Sequence, residues 1–156
     1  MLDLLEQGKR IINVDESWIN ETNYLRRSWS IPQEAKSQIK PILQPRLAVI
    51  AAIDTDGRVF FSLNHSNTDS DVMILFFYRL AEALDLEVPG WRDDTVLLLD
   101  NAPYHTSEET KDALHRLGFT LIYSGPYSYS AAPCELLFAA LKTGNLNPLR
   151  QPTGKK

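Results

Sequence analysis

One cysteine in 156 residues, no long uncharged apolar run and no surplus of positive charge each close off a class of protein. The lone thiol, Cys134, forms no internal disulfide, and without a second Cys or a His at ligand spacing beside it the sequence argues against a zinc site. No stretch reaches the roughly 18 apolar residues that a membrane-spanning helix needs. The first ten residues carry acids and lack a signal-peptide apolar region, so the expectation is a soluble, intracellular chain with no membrane partner. Lys and Arg number 16 against 20 Asp and Glu, a net charge of −4. That balance argues against a free-standing duplex binder held by phosphate neutralisation. It leaves room for a site that gathers carboxylates, with duplex recognition carried by a separate domain. Internal repeats and low-complexity tracts are also missing. With 44% hydrophobic and 23% charged residues, the remaining expectation is one ordinary globular domain.

The apolar pattern orders that domain. Arg10 to Ser17 is a short β-branched run ending in acids, and it predicts a first strand with Asp15 at its tip. Tyr24 to Pro45 has no sustained period and reads as a long connection. Leu47 to Ile53 and Arg58 to Leu63 flank Asp54-Thr55-Asp56-Gly57, which predicts a hairpin. Helical spacing from a cap at Thr68 through Glu87 predicts a helix over one sheet face. Thr95 to Leu99, continuously apolar, predicts a central strand with Asp100 at its carboxyl end. A helix opening at Thr106 and closing at Gly118, a strand over Phe119 to Tyr123 and a helix opened by Pro133 complete the order. Three strands followed by helix, strand, helix, strand, helix predict an α/β fold with a mixed five-stranded sheet flanked by helices. The domain is expected over 1–143, with 144–156 a flexible tail.

Asp15, Asp100 and Glu135 are each expected at an element terminus, where carboxylates converge while their backbones stay hydrogen-bonded. Oxygen ligands of this kind suit Mg²⁺ or Mn²⁺, and close carboxylates are costly without a cation. Two such ions support in-line displacement at a phosphodiester without another cofactor. On pattern alone, an aspartate ending a strand equally serves as a turn former or helix cap.

The motifs Val14-Asp-Glu-Ser-Trp18, Leu97-Leu-Leu-Asp-Asn-Ala-Pro-Tyr-His105 and Ala132-Pro-Cys-Glu-Leu-Leu-Phe138, in this order, decide between these readings. Over nearly its whole length the sequence resembles the mariner superfamily of transposases and their bacterial relatives. The 34 residues (101–134) between Asp100 and Glu135 are similar to the gap in one large branch of that superfamily. The resemblance implies a ribonuclease H-like catalytic domain in which Asp15, Asp100 and Glu135 bind two Mg²⁺ or Mn²⁺ ions. The implied reaction cleaves DNA at element ends and transfers the 3′-hydroxyl end to target DNA. The partners implied are DNA and a second copy of the chain, in cytoplasm or nucleus according to the host. Tyr129, Ser130 and Ala132 stand where the family usually has proline, aspartate and asparagine, and the sequence holds no counterpart of the family's helix-turn-helix region.

Asn101 and His105 are expected near DNA or metal-bound water, and Arg26 and Arg27 beside Trp29 are expected to grip phosphate and a base. Glu16 is expected on the opposite side of the first strand from Asp15, outside the site. Phe76, Phe77, Phe138 and Trp18 are expected in the core. Two further readings stay open: a domesticated or decayed descendant that binds nucleic acid or protein without chemistry, and a structure-selective or RNA-cleaving nuclease of the same fold.

Overall fold

The computed structural model describes residues 2–19, 47–65, 67–87, 89–125 and 132–143. The apolar runs become a sheet. Strand β1 (Arg10–Ile19) pairs antiparallel with β2 (Leu47–Asp54), which pairs antiparallel with β3 (Val59–Asn64). On its other edge β1 runs parallel to β4 (Thr95–Leu99), and β4 runs parallel to β5 (Thr120–Tyr123). The order β3-β2-β1-β4-β5 is the mixed five-stranded sheet that the sequence predicts.

Helices cover both faces, because the strands alternate between two apolar surfaces. On one face Ile12, Val14, Ile50, Ala52, Leu97 and Leu99 pack against Met73, Phe76, Phe77, Leu80 and Leu84 of α2 (Ser70–Glu87). Trp91 of α3 (Trp91–Asp94), Leu114 of α5 (Glu108–Leu117) and Phe119 extend that cluster. On the other face Val49 and Ala51 meet Cys134 and Phe138 of α6 (Pro133–Thr143). Trp18 is only half-buried, unlike the three phenylalanines.

The turn chemistry is as expected at the hairpin. Gly57 adopts φ +80°, and Asp54 Oδ1 accepts the N–H groups of Asp56 and Arg58 at 3.0 and 2.8 Å. Elsewhere the boundaries shift. Asp69, rather than Thr68, accepts the N–H of Val72 at the start of α2. Ser107, rather than Thr106, caps α5, because residues up to Thr106 already form a separate turn, α4 (Pro103–Thr106), with Pro103 at its first position. A short α1 (Leu2–Glu6) and α3 are additions to the predicted order.

One shift matters for the site. β1 continues past the acids to Ile19 because β2 supplies hydrogen-bonding partners as far as the Ile19–Leu47 pair. Its pairing with β4 ends at Asn13–Leu98. Asp15 is therefore inside a strand rather than at its tip, and the opening beside it is made by the earlier end of β4.

Candidate active site

Where β4 stops, its chain turns through Asp100 into α4, leaving β1 without a parallel neighbour. Asp15 stands in that gap. It shares its side of β1 with Asn13, toward α6, whereas Val14 and Glu16 face the α2 side. Asp15 Oδ1 accepts the N–H of Glu16 at 2.8 Å. Burial pushes its carboxyl up to about 6, and the charges of Asp100 and Glu135 add to the rise while Lys142 opposes it. The three sequence-predicted acids thus share one electrostatic neighbourhood.

Asp100 is fixed by its own loop. Its Oδ1 accepts the N–H of Ala102 at 2.9 Å and lies 2.6 Å from Nδ1 of His105. Glu135 sits in the first turn of α6 with an exposed side chain. Among the described residues, no three Asp, Glu, His or Cys side chains stand close enough to form a closed metal cage. The donor set nevertheless suits a hard cation, being all carboxylate, partly buried and short of positive charge. Asp15 and Asp100 could hold such an ion, with Glu135 reaching in from the helix.

Asn13 explains how that helix is placed. Its side-chain oxygen accepts the N–H of Cys134 at 3.1 Å, and its amide donates to Leu98 O at 3.3 Å, tying β1, β4 and α6 together. Cys134 Sγ in turn donates to Asn13 O at 3.2 Å. Burial, with Asp15 nearby, pushes this thiol up to about 12, so it is the neutral thiol rather than a thiolate nucleophile at neutral pH. Asn13 was legible in one respect: a buried polar residue in an apolar run requires a specific partner.

Glu16 points to the opposite face, as expected, but it is not remote from the site. Burial pushes it up to about 8, with Asp15 and then Asp100 adding to the rise. His105 lies between Asp100 and Glu16, with Nε2 3.5 Å from Glu16 Oε2. Its ring is wholly buried. The ring of His105, expected near DNA or metal-bound water, is enclosed by packing and set against Asp100. Asn101 is exposed and donates to Ser124 O at 2.9 Å, joining the loops after β4 and β5. Arg26, Arg27, Trp29, Tyr127 and Tyr129 lie outside the described residues.

These shifts fix the sign of a pH effect. Asp15 and Glu16 retain protons at pH values where the unfolded chain has lost them, so their stabilisation is complete near pH 4 and lost as pH rises through 6 and 8. His105, held below its ordinary value by burial, acts the other way, its contribution present above about 6.5 and lost in acid. Above 6.5 the His105 contribution is constant and the carboxylate effect sets the direction. The metal-free protein should lose several degrees of Tm between pH 6.5 and 8.5, and Glu16→Gln should flatten that decline. A wild-type Tm that holds or rises over this range would contradict it.

A mixed sheet of this order, covered by helices on both faces and carrying acids where β1 outruns β4, is the ribonuclease H-like fold. A family model for DDE superfamily endonucleases matches residues 10–153, and the chain belongs to that family, among the mariner-type transposase catalytic domains. Mos1 transposase in a paired-end complex with the left transposon end is 26% identical, with a TM-score of 0.69 over 90% of this chain and 45% of that one. The isolated Mos1 catalytic domain is 21% identical, with a TM-score of 0.63 over 90% of this chain and 64% of that one, a likeness of fold. The histone-lysine N-methyltransferase SETMAR of Homo sapiens is 31% identical over 136 residues, 80% of this chain and 19% of that protein. The chain therefore spans less than half of the first Mos1 chain and about a fifth of SETMAR. Further Mos1 structures are a paired-end complex with Mn, a catalytic domain with Mg and a strand transfer complex. No described helix is long and apolar enough to cross a membrane.

Proposed function

We propose that this chain is the catalytic part of a metal-dependent transposase, cleaving DNA at element ends and transferring the 3′-hydroxyl end to target DNA. Asp15, Asp100 and Glu135 are the residues that would hold two Mg²⁺ or Mn²⁺ ions. When bound, such ions supply activation of the attacking oxygen and stabilisation of the leaving one. What supports the reading is Asp15 in the gap beside the end of β4, its carboxyl raised by burial and by the charges of Asp100 and Glu135, on a chain of the DDE endonuclease family.

The chain's own residues orient the site. Asn13 sets the first turn of α6, and with it Glu135, while the Ala102 N–H and His105 hold one oxygen of Asp100. DNA is the proposed partner, supported by the Mos1 complexes, and a second copy of the chain is proposed with it. Its place is wherever the host keeps that DNA. A net charge of −4 and the open ligand set favour a second reading, a non-catalytic binding descendant.

Cleavage separates the two. A supercoiled plasmid should be nicked in Mn²⁺ and left intact in EDTA. Saturable Mn²⁺ binding without nicking would support the binding module, and absence of both would remove the metal-site proposal.

A further inference from the structure

The turn after β4 is built around one ring. His105 N donates to Ala102 O at 2.9 Å, Thr106 Oγ1 donates to the same carbonyl at 3.1 Å, and Thr110 Oγ1 donates to Tyr104 O at 2.7 Å. Tyr123 Oη donates to His105 O at 3.3 Å, and the Tyr104 ring meets the imidazole edge-on at 4.9 Å. The backbone and one face of His105 are thereby held, and its nitrogens point in two directions. Nδ1 meets Asp100 Oδ1 at 2.6 Å, and Nε2 faces Glu16 Oε2 at 3.5 Å. Nε2 and Glu16 Oε2 are both buried and have no hydrogen-bond partner among the described residues. A buried polar pair this close to bonding distance is costly unless some state of the protein closes it.

The Asp100 oxygen facing Nδ1 already accepts the Ala102 N–H, so it serves as an acceptor, and Nδ1 carries the hydrogen. In a neutral ring Nε2 is then the acceptor turned toward Glu16. We infer that His105 is the positioning residue for Asp100: it pins one carboxylate oxygen from beneath and leaves the other to face the site. This rests on the proposed metal reading and deepens it. A carboxylate free to rotate presents its ligand oxygen only part of the time, and partners that orient metal ligands typically change metal affinity by about 10–100-fold when removed.

The test uses the whole chain and Mn²⁺ alone, with free Mn²⁺ followed by electron paramagnetic resonance. His105→Asn keeps an N–H donor near the Nδ1 place and should bind Mn²⁺ close to wild type. His105→Gln carries its amide toward the Nε2 place and should bind about 10–100-fold more weakly. A merely structural role predicts that the two amides fall together with Tm, and equal affinities for both would overturn the inference. Asp100→Asn is the separate control: if it binds Mn²⁺ like wild type, the metal-site reading itself fails. The tautomer of His105 in the wild-type protein, read by ¹⁵N–¹H correlation of the ring, does not depend on any variant folding. The Nδ1–H form is expected, and an Nε2–H form would overturn the inference.

Discussion

Asp100→Asn should abolish metal-dependent strand cleavage while leaving the protein as stable as wild type, or more so, in the absence of metal. The two halves of this expectation have one cause. Asparagine has nearly the shape of aspartate and can still accept the Ala102 N–H at the position of Oδ1, so the turn into α4 keeps its hydrogen bond. It lacks the charge that a hard divalent ion requires. Metal stabilisation of a phosphoryl-transfer transition state amounts to several kcal/mol, and each 1.36 kcal/mol is tenfold in rate, so the loss should be on the order of a thousandfold. Removing the charge also relieves Asp15 and Glu16, both of which Asp100 raises. Cleavage is read by plasmid nicking in Mn²⁺ and stability by thermal melting in EDTA. Activity within tenfold of wild type would exclude Asp100 from the reacting centre, and loss of activity together with collapse of Tm would reassign it to structure.

Strands β2 and β4 were legible because burial on both faces leaves an unambiguous record. Thr95 to Leu99 has no polar residue after its threonine, and β4 is an interior strand paired on both edges. β2 likewise reads as seven apolar residues before Asp54. What the pattern missed is tertiary in origin. The sequence of β1 turns polar at Asp15, which suggests an end, yet β2 offers hydrogen-bonding partners four residues further, and the backbone follows its neighbour. The α4 turn has too few residues for periodicity to register. It exists because Pro103 sets its start and His105 and Thr106 bond back to Ala102.

The acids of the candidate site were visible for a different reason. Each follows or opens an apolar run, which makes it conspicuous, and the motifs supplied their order. Their supports had no such mark. Glu16 lies on the far face of β1, as alternation requires, and only the path of α4 brings His105 beneath that strand. Spacing along the chain says that Asp100 and His105 share a turn. It does not say that the ring is sealed from solvent and set against Asp100 rather than turned to the surface. Asn13 needs the same three-dimensional information, since its partner Cys134 is 121 residues away.

Asp54→Ala tests the fold where β2 ends beside Arg10, the first residue of β1, and it should cost about 3–5 kcal/mol, the usual loss when one partner of a buried ion pair is removed. The Asp54 side chain is completely buried and that of Arg10 is 10% exposed. One carboxylate oxygen accepts Nε of Arg10 at 2.8 Å and also Nη2, while the other holds the hairpin through Asp56 and Arg58. Alanine leaves the guanidinium buried without its counter-charge and the turn without its acceptor. Against a total stability of about 5–15 kcal/mol the midpoint of urea unfolding should move far toward water. Asp54→Asn retains an acceptor for the turn and should fall between wild type and alanine. Pairing Asp54→Ala with Arg10→Met should recover part of the loss, because the uncompensated charge is then gone. Mn²⁺ affinity should be unchanged in every variant that remains folded, since the ion pair joins the end of β2 to Arg10, the first residue of β1, five residues before Asp15. A cost below 1 kcal/mol for Asp54→Ala would show that the Arg10 ion pair contributes little and that the hairpin holds its register through strand pairing alone.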